Sequence, residues 1–236
     1  MSTIEFQPWP KVARLNRDIT ITEKLDGTNA AVVIVTHPFG ASVEPDPNRI
    51  AIITTDRQAL DSDGFPFSEY HVYAQSRTRF VTPKQDNYGF AGWVKRNAEA
   101  LVATLGEGTH YGEWWGSGIQ RKYGLTGDDK RFSLFNTKRW ALEDGAIGTN
   151  AYGSAVPGLG VVPVIYEGPF SQKAIDLSLE ALRRVSVAAP GFHNPEGVVI
   201  FHHASREMYK VTLEGDDPTP QERATKHLQD LEVIPA

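Results

Sequence analysis

Apolar positions along this chain recur mostly at every second residue, in short runs. Ile19-Thr20-Ile21-Thr22 alternates and is β-branched, and the apolar stretch Ala30 to Val35 follows after a glycine-containing turn. That succession predicts a hairpin with Lys24 at its bend. Further strands are expected over residues 49–55, 72–77, 132–135, 161–165, 197–202 and 208–213. Three segments carry helical spacing instead. Residues 91–105 place Trp93, Val94, Leu101, Val102 and Leu105 on a helix that Gly106 can stop. Ser171 can N-cap a helix to about residue 186, with Ile175, Leu179, Leu182 and Val185 on its apolar face. Residues 220–231 read as a short terminal helix with Pro220 at its start.

Strands outnumber helices and the two are interleaved irregularly, so the pattern predicts an α+β fold of largely antiparallel sheets with flanking helices. Residues 143–160, rich in glycine and alanine, and Glu44-Pro45-Asp46-Pro47-Asn48 are expected loops. A length of 236 residues suits a single domain, 1–236, with a substantial core. A net charge of −5 gives no global basic footprint. It argues against an architectural nucleic-acid coat, while leaving room for an enzyme with a local basic groove. The absence of cysteine excludes disulfides, thiolate chemistry and Cys-ligated zinc. With no signal pattern and no apolar stretch of membrane-spanning length, a cytoplasmic protein is expected (host cytoplasm if the gene is viral), with no membrane partner and monomer as the favoured state.

The chemistry concentrates around Thr22-Glu23-Lys24-Leu25-Asp26-Gly27-Thr28-Asn29. An uncharged lysine amine is a good nucleophile towards phosphorus or carbonyl centres, and this turn sets a carboxylate two residues beyond it. An unperturbed lysine, with a pKa of about 10.4, is neutral in only about one molecule in a thousand near pH 7.4, a deficit of ~4 kcal/mol. Desolvation or neighbouring positive charge must supply most of that. Two carboxylates stand out further on: Glu113 in Tyr111-Gly112-Glu113-Trp114-Trp115-Gly116, and Glu196 at the mouth of the buried run Gly197 to Ile200. Hard oxygen ligands of this kind suit Mg²⁺ or Mn²⁺ bound together with substrate phosphates. Phe132-Ser133-Leu134-Phe135-Asn136 offers aromatic faces, and Met208-Tyr209-Lys210-Val211-Thr212 a lysine on an alternating strand. His202 and His203 are adjacent on a strand and so point to opposite faces, which argues against a metal pair there.

Read in order, these segments resemble the nucleotidyltransferase motifs of polynucleotide ligases and capping enzymes, and most closely those of the RNA ligase 2-like family. Pro8-Trp9-Pro10-Lys11-Val12 and Gly116-Ser117-Gly118-Ile119-Gln120 look like that family in particular, and the likeness runs from about Phe6 to Lys210. The resemblance implies a nucleotidyltransferase core of the ATP-grasp-like ligase adenylation type. No OB domain is expected, since little sequence follows Lys210. It implies ATP and Mg²⁺ or Mn²⁺ as cofactors, and RNA ends, nicked or single-stranded and possibly DNA, as partners. In the implied reaction a lysine attacks the α-phosphate of ATP, AMP moves to a 5′-phosphate end, and a 3′-hydroxyl displaces it.

By the same resemblance Lys24 is the nucleophile and Lys210 neutralises the α-phosphate. Asp26, Gly27, Asn29, Arg77, Glu113, Phe135 and Glu196 form the nucleotide-binding set. Within it Phe135 stacks on adenine, Glu113 meets the ribose, Asp26 orients the ribose or the leaving end, and Asn29 supports the hydration shell of a metal. Arg77 contacts the nucleotide or the nucleic-acid end, and Glu113 and Glu196 are the metal carboxylates. The chain departs from the family pattern twice. Asp26 stands where the family usually has histidine and DNA ligases have aspartate, and Met208 takes the first place of a Lys-x-Lys pattern. Arg121, Lys122 or Lys138 are the available substitutes for that missing cation. An ATP-dependent RNA ligase is the expected function. The alternatives are a minimal DNA ligase and a nucleic-acid-end-binding protein with impaired turnover.

Overall fold

The computed structural model describes residues 4–38, 43–54, 68–140 and 156–214. Its first half contains β1 (Asp18–Lys24), β2 (Thr28–Pro38), β3 (Ala51–Thr54), β4 (Ser68–Ser76), β5 (Phe80–Val81), α1 (Phe90–Arg96), α2 (Ala98–Leu105) and β6 (Gly108–Gly116). Then follow β7 (Lys130–Leu134), α3 (Thr137–Trp140), β8 (Leu159–Val161), β9 (Val164–Pro169), α4 (Gln172–Arg184), β10 (Gly197–His202) and β11 (Glu207–Thr212). This is the α+β arrangement expected, with antiparallel pairing everywhere except between β7 and β8.

β1 and β2 do not form the expected hairpin. β1 pairs with β9 and β10 in a four-stranded sheet ordered β11-β10-β1-β9, whereas β2 pairs with β4 and β6 in a second sheet ordered β3-β4-β2-β6-β7-β8. The reason lies in what each strand buries. Ile19 and Ile21 of β1 join Val198 and Ile200 of β10 under Ile175 and Leu182 of α4. Ala30, Val32 and Ile34 of β2 instead pack with Trp114, Phe132 and Leu134 against Phe90, Val94 and Leu101 of α1 and α2. Two apolar faces that go to two different cores cannot share one hairpin, so Leu25-Asp26-Gly27 crosses from one sheet to the other.

A second crossing lies beside the first. The single strand expected over 161–165 is two strands, β8 on β7 and β9 on β1, separated at Val162-Pro163. Proline has no N–H for the ladder and ends the pairing. Its carbonyl nevertheless accepts from the Glu23 N–H at 3.0 Å. Leu25, Val162, Trp115, Tyr123, Ala188 and Ala189 fill the seam where the crossings meet.

The helix expected over 91–105 is likewise two helices. Asn97 breaks it: its backbone N–H donates to Trp93 and Val94 carbonyls, and its side-chain amide donates to the Trp93 carbonyl at 2.8 Å. An asparagine side chain competes with the backbone ladder in this way and disfavours helix continuation. In α4 the expected cap is present, with the Ala174 N–H donating to Ser171 Oγ at 3.4 Å. The expected helix over 220–231 lies outside the described residues. No helix among the described residues is long and apolar enough to cross a membrane.

Leu182 is fully buried between α4 and the β1–β10 pair. Leu182→Ala should therefore lower unfolding stability by about 2–5 kcal/mol, the range for emptying a leucine-sized core site. Chemical denaturation checks it; an unchanged midpoint would show that α4 does not clamp this sheet.

Candidate active site

Each sheet has one face packed against helices, and side-chain parity assigns the strand residues Lys24, Lys210, Asn29 and Glu113 to the opposite faces. On β1, Ile19, Ile21 and Glu23 point to the covered side, so Thr20, Thr22 and Lys24 point to the opposite one. Across the four-stranded sheet Thr22 lies opposite Val199, and Val199 opposite Lys210. Lys24, at the end of β1, lies opposite Gly197. Lys210 therefore shares the face of Lys24, two strands over, roughly 10 Å away in the sheet direction.

Lys24 Nζ donates to Glu196 Oε2 at 2.6 Å, with both side chains only partly exposed. Glu196 owes its place to Gly197, whose φ is +152° and whose missing Cβ would collide with the Val211 carbonyl and with Thr212 Cα at 2.8 Å. Only glycine lets β10 and β11 close there. Gly27 is the corresponding point on the other side of the lysine. A Cβ on it would strike the Trp114 carbonyl and Trp115 Cβ at 2.8 Å, and its N–H donates to Glu113 Oε1 at 3.1 Å.

On the second sheet, Asn29 lies directly opposite Glu113, and Glu113 opposite Ser133. Gly112, Trp114, Phe132 and Leu134 point to the α1–α2 side or pair there, so Asn29 and Glu113 lie on the opposite face, where Ser133 is buried and accepts from Trp115 Nε1 at 2.8 Å. Phe135 continues that alternation just past β7, its N–H donating to the Tyr111 carbonyl at 3.0 Å and its ring half-exposed. Arg77 follows the last paired residue of β4, Ser76, which lies opposite Ala30. It is exposed, and close enough to Glu113 to act on its charge. Burial pushes the Glu113 carboxyl up to about 7. The Lys24 ammonium, the Gly27 N–H and Arg77 oppose that shift, and the Glu196 charge adds to it.

Asp26 is held from two directions. Its N–H donates to Tyr123 Oη at 2.9 Å, and its carboxylate accepts from Arg121 Nε at 3.0 Å. Arg121 also forks onto Glu214, at 3.2 and 2.8 Å, and donates to the Asn194 carbonyl at 3.2 Å. Its donors are spent on protein groups, which removes Arg121 as a substitute for the cation missing at Met208. Met208 itself lies opposite Phe201 on the open face and is 70% exposed. Lys122 and Lys138 are exposed. His202 and His203 do point apart: His202 Nε2 meets the Leu15 carbonyl at 2.8 Å, and His203 Nε2 meets Thr20 Oγ1 at 2.8 Å.

Two residues of the site escaped sequence reasoning. Glu23 is buried and accepts from Ser186 Oγ and from the Val187 and Ala188 N–H groups, at 2.6, 2.8 and 2.9 Å. Burial raises its pKa and those hydrogen bonds oppose the rise. A signal for it existed, since a charge at the third inward position after Ile19 and Ile21 must be paired. Tyr123 is buried against Trp115 and Phe192 and reaches the nucleophile turn from a glycine-rich loop; no local pattern marks it.

Among the described residues no group of three or more His, Asp or Glu side chains converges on one point. Glu113 and Glu196, flanking Lys24, form an incomplete carboxylate set of the kind that leaves most coordination positions to water and phosphate oxygens. Glu113, whose ionised form burial disfavours, also lacks the compensating charge that a divalent cation would bring. The residues present thus fit Mg²⁺ or Mn²⁺ arriving with a nucleotide.

This mixed α+β arrangement of largely antiparallel sheets with few helices is similar to the nucleotidyltransferase fold of RNA ligases. A family model described as RNA ligase matches residues 17–212, and the chain belongs to that family. An unliganded mutant of the Naegleria gruberi RNA ligase superposes with a TM-score of 0.50 at 16% identity, over 84% of this chain and 50% of that one. A mutant of the same ligase with AMP and Mn gives the same figures, 0.50, 16%, 84% and 50%. An archaeal ATP-dependent RNA ligase is similar at 16% identity over 88% of this chain and 48% of that one, with a TM-score of 0.43. The chain spans about half the length of these structures, and at such identities the two Naegleria matches show likeness of fold alone. No curated protein matches the sequence significantly.

The Glu113 shift has a stability consequence. With its folded pKa raised from 4.5 to about 7, the native state holds a proton that the unfolded chain releases first. The associated stability is present below pH 4.5 and lost as pH rises through about 7. Relative to Glu113→Gln, the wild type should lose roughly 3 kcal/mol across that window, at about 1.4 kcal/mol per pH unit. Parallel stability–pH curves for the two proteins would show that the carboxyl is not buried as described.

Proposed function

We propose that this chain is an ATP-dependent RNA ligase that joins 3′-hydroxyl and 5′-phosphate ends through a covalent lysyl-AMP intermediate. The observation that carries the proposal is Lys24 Nζ, set between the two sheets 2.6 Å from Glu196 Oε2 and within electrostatic reach of Glu113. Membership of the RNA ligase family supports it, as does the fold shared with a ligase solved with AMP and Mn. In this reading both sheets belong to one nucleotidyltransferase domain.

Lys24 Nζ attacks the α-phosphorus of ATP, forming a P–N bond while the bridging P–O bond to the β-phosphorus breaks and pyrophosphate leaves. A 5′-phosphate oxygen then attacks the adenylyl phosphorus, breaking the P–N bond. Finally the 3′-oxygen attacks the 5′-phosphorus and AMP departs. The proton of Lys24 must be lost before the first step, and so must its ion pair with Glu196, because an ammonium has no lone pair. A divalent metal held by Glu113 and Glu196 would supply charge neutralisation at the phosphates. Phe135 offers a half-exposed ring for adenine, and Asn29, opposite Glu113, a polar group for the same end of the nucleotide. Lys210, on the face of Lys24, stabilises charge developing on the α-phosphate. Arg77 is placed for the nucleotide or the strand end.

One observation favours a slower variant of this function. Met208 occupies an open-face position where the family pattern has lysine, and Arg121 is already engaged by Asp26 and Glu214. A protein short of one phosphate-binding cation would form its AMP adduct and then seal slowly.

Incubation with labelled ATP and Mg²⁺ or Mn²⁺ should yield a covalent, acid-stable AMP adduct at Lys24. Lys24→Ala should abolish it, and Lys24→Arg should fail equally, because guanidinium stays protonated. Peptide mapping that finds AMP on another lysine would overturn the assignment.

RNA preference should reside near the 3′-hydroxyl, where 2′-hydroxyl contacts and A-form geometry are read. Replacing the last ribonucleotides on that side by deoxyribonucleotides should slow sealing more than the same change on the 5′-phosphate side. Equal or faster joining of an all-DNA nick would promote the minimal DNA ligase instead.

A further inference from the structure

The loop that follows β6 carries unusual backbone. Gln120, Lys122 and Tyr123 have φ of 41°, 61° and 50°, in the left-handed region that side chains with a Cβ rarely adopt. Only Arg121, at φ −69°, is right-handed among these four consecutive residues. Conformations of this kind persist where surrounding contacts over-determine them, and they cluster at sites where geometry matters. Here the contacts are visible. Ile119 is fully buried, and the Tyr123 ring lies 5.1 Å from Trp115 and 4.7 Å from Phe192, centroid to centroid.

What the strained loop delivers is a grip on the turn after Lys24. Tyr123 Oη accepts from the Asp26 N–H at 2.9 Å and donates to the Lys24 carbonyl at 3.4 Å. Arg121 takes the Asp26 carboxylate through Nε, the Asn194 carbonyl through Nη1, and Glu214 through both Nη1 and Nη2. Asn194 lies two residues before Glu196, and Glu214 two residues after the end of β11. One guanidinium therefore ties together the turn carrying Lys24, the approach to Glu196 and the exit from the strand of Lys210.

We propose that Arg121 and Tyr123 are positioning residues for Lys24: a clasp that holds the Lys24–Gly27 turn in register with Glu196 and couples both to the end of β11 through Glu214. The proposal rests on Lys24 being the adenylated nucleophile. Neither residue touches the reacting atoms; they act by keeping the amine where an α-phosphate can be met in line, and small misplacements of reacting groups are costly in rate.

The test pairs an activity readout with one that does not depend on activity. Adduct formation is followed against ATP concentration in the wild type, Arg121→Ala, Arg121→Lys and Tyr123→Phe, and amide exchange is followed for the segment from Lys24 to Thr28. Arg121→Ala and Tyr123→Phe should slow the adduct-forming step at saturating ATP by ~10-fold or more, with the half-saturating ATP concentration nearly unchanged. Both should speed exchange at Asp26. Arg121→Lys should recover part of the rate, since an ammonium can meet one carboxylate but cannot fork between two. Wild-type rates and exchange in Arg121→Ala and Tyr123→Phe would overturn the clasp, as would a rate loss matched by an equal rise in half-saturating ATP. If the wild type itself forms no adduct, the ligase reading fails, while exchange at Asp26 still decides whether the clasp exists.

Discussion

The close passage of Gly27 over β6 is the constraint on which the rest of this site depends. The chain must leave one sheet at Lys24 and enter the other at Thr28, and the space available to it is bounded by the Trp114 carbonyl and Trp115 Cβ. With no side chain at position 27, the backbone sinks until its N–H reaches the Glu113 carboxyl. That contact ties the turn after Lys24 to Glu113. Pro163 performs a related task next door, ending one strand's ladder while its carbonyl holds Glu23. The two crossings share one seam of apolar side chains, so a shift in either would move both.

Several acidic groups crowd this seam, and each is accommodated by different physics. Glu23 is ionisable only at the cost of burial, offset by three donors from residues 186–188. Glu113 is partly relieved by protonation, its pKa lying at about 7. Glu196 is matched by the Lys24 ammonium, and Asp26 and Glu214 by Arg121. The result is a site in which Lys24 and Arg121 already have carboxylate partners before any phosphate arrives. Binding a nucleotide there means exchanging internal partners for external ones. That is a reason for a metal ion to accompany the phosphates, and it is consistent with a chain whose net charge is −5.

Much of this was legible in the sequence, because some of the constraints are local. The α+β class with antiparallel sheets follows from alternation and from the scarcity of helical spacing. The order of the motifs around Lys24, Glu113, Phe135, Glu196 and Lys210 marked the family, and strand parity sets Lys24 and Lys210 on one face of their sheet and Glu113 opposite Asn29 on the other sheet. The Ser171 cap and the amphipathic α4 were readable for the same reason: a helix start and its apolar stripe are written within a few turns.

Other features depended on which surfaces met, and no local pattern encodes that. Whether Ile19 and Ala30 share a core or divide between two is decided by α4 on one side and α1 and α2 on the other, so an apparent hairpin becomes a crossing between sheets. Arg121 looked like a free cation for phosphate until Asp26 and Glu214, 95 and 93 residues away in sequence, converged on it. Tyr123 offered no sign that its hydroxyl would reach the turn of the nucleophile. The sequence by itself determined the fold class, the approximate position of most strands and the start and stripe of α4, since these are set by neighbours within a turn or a strand. Only the tertiary structure decided which charge answers which, because an ion pair depends on distance through space, and distance through space is fixed only when the sheets close.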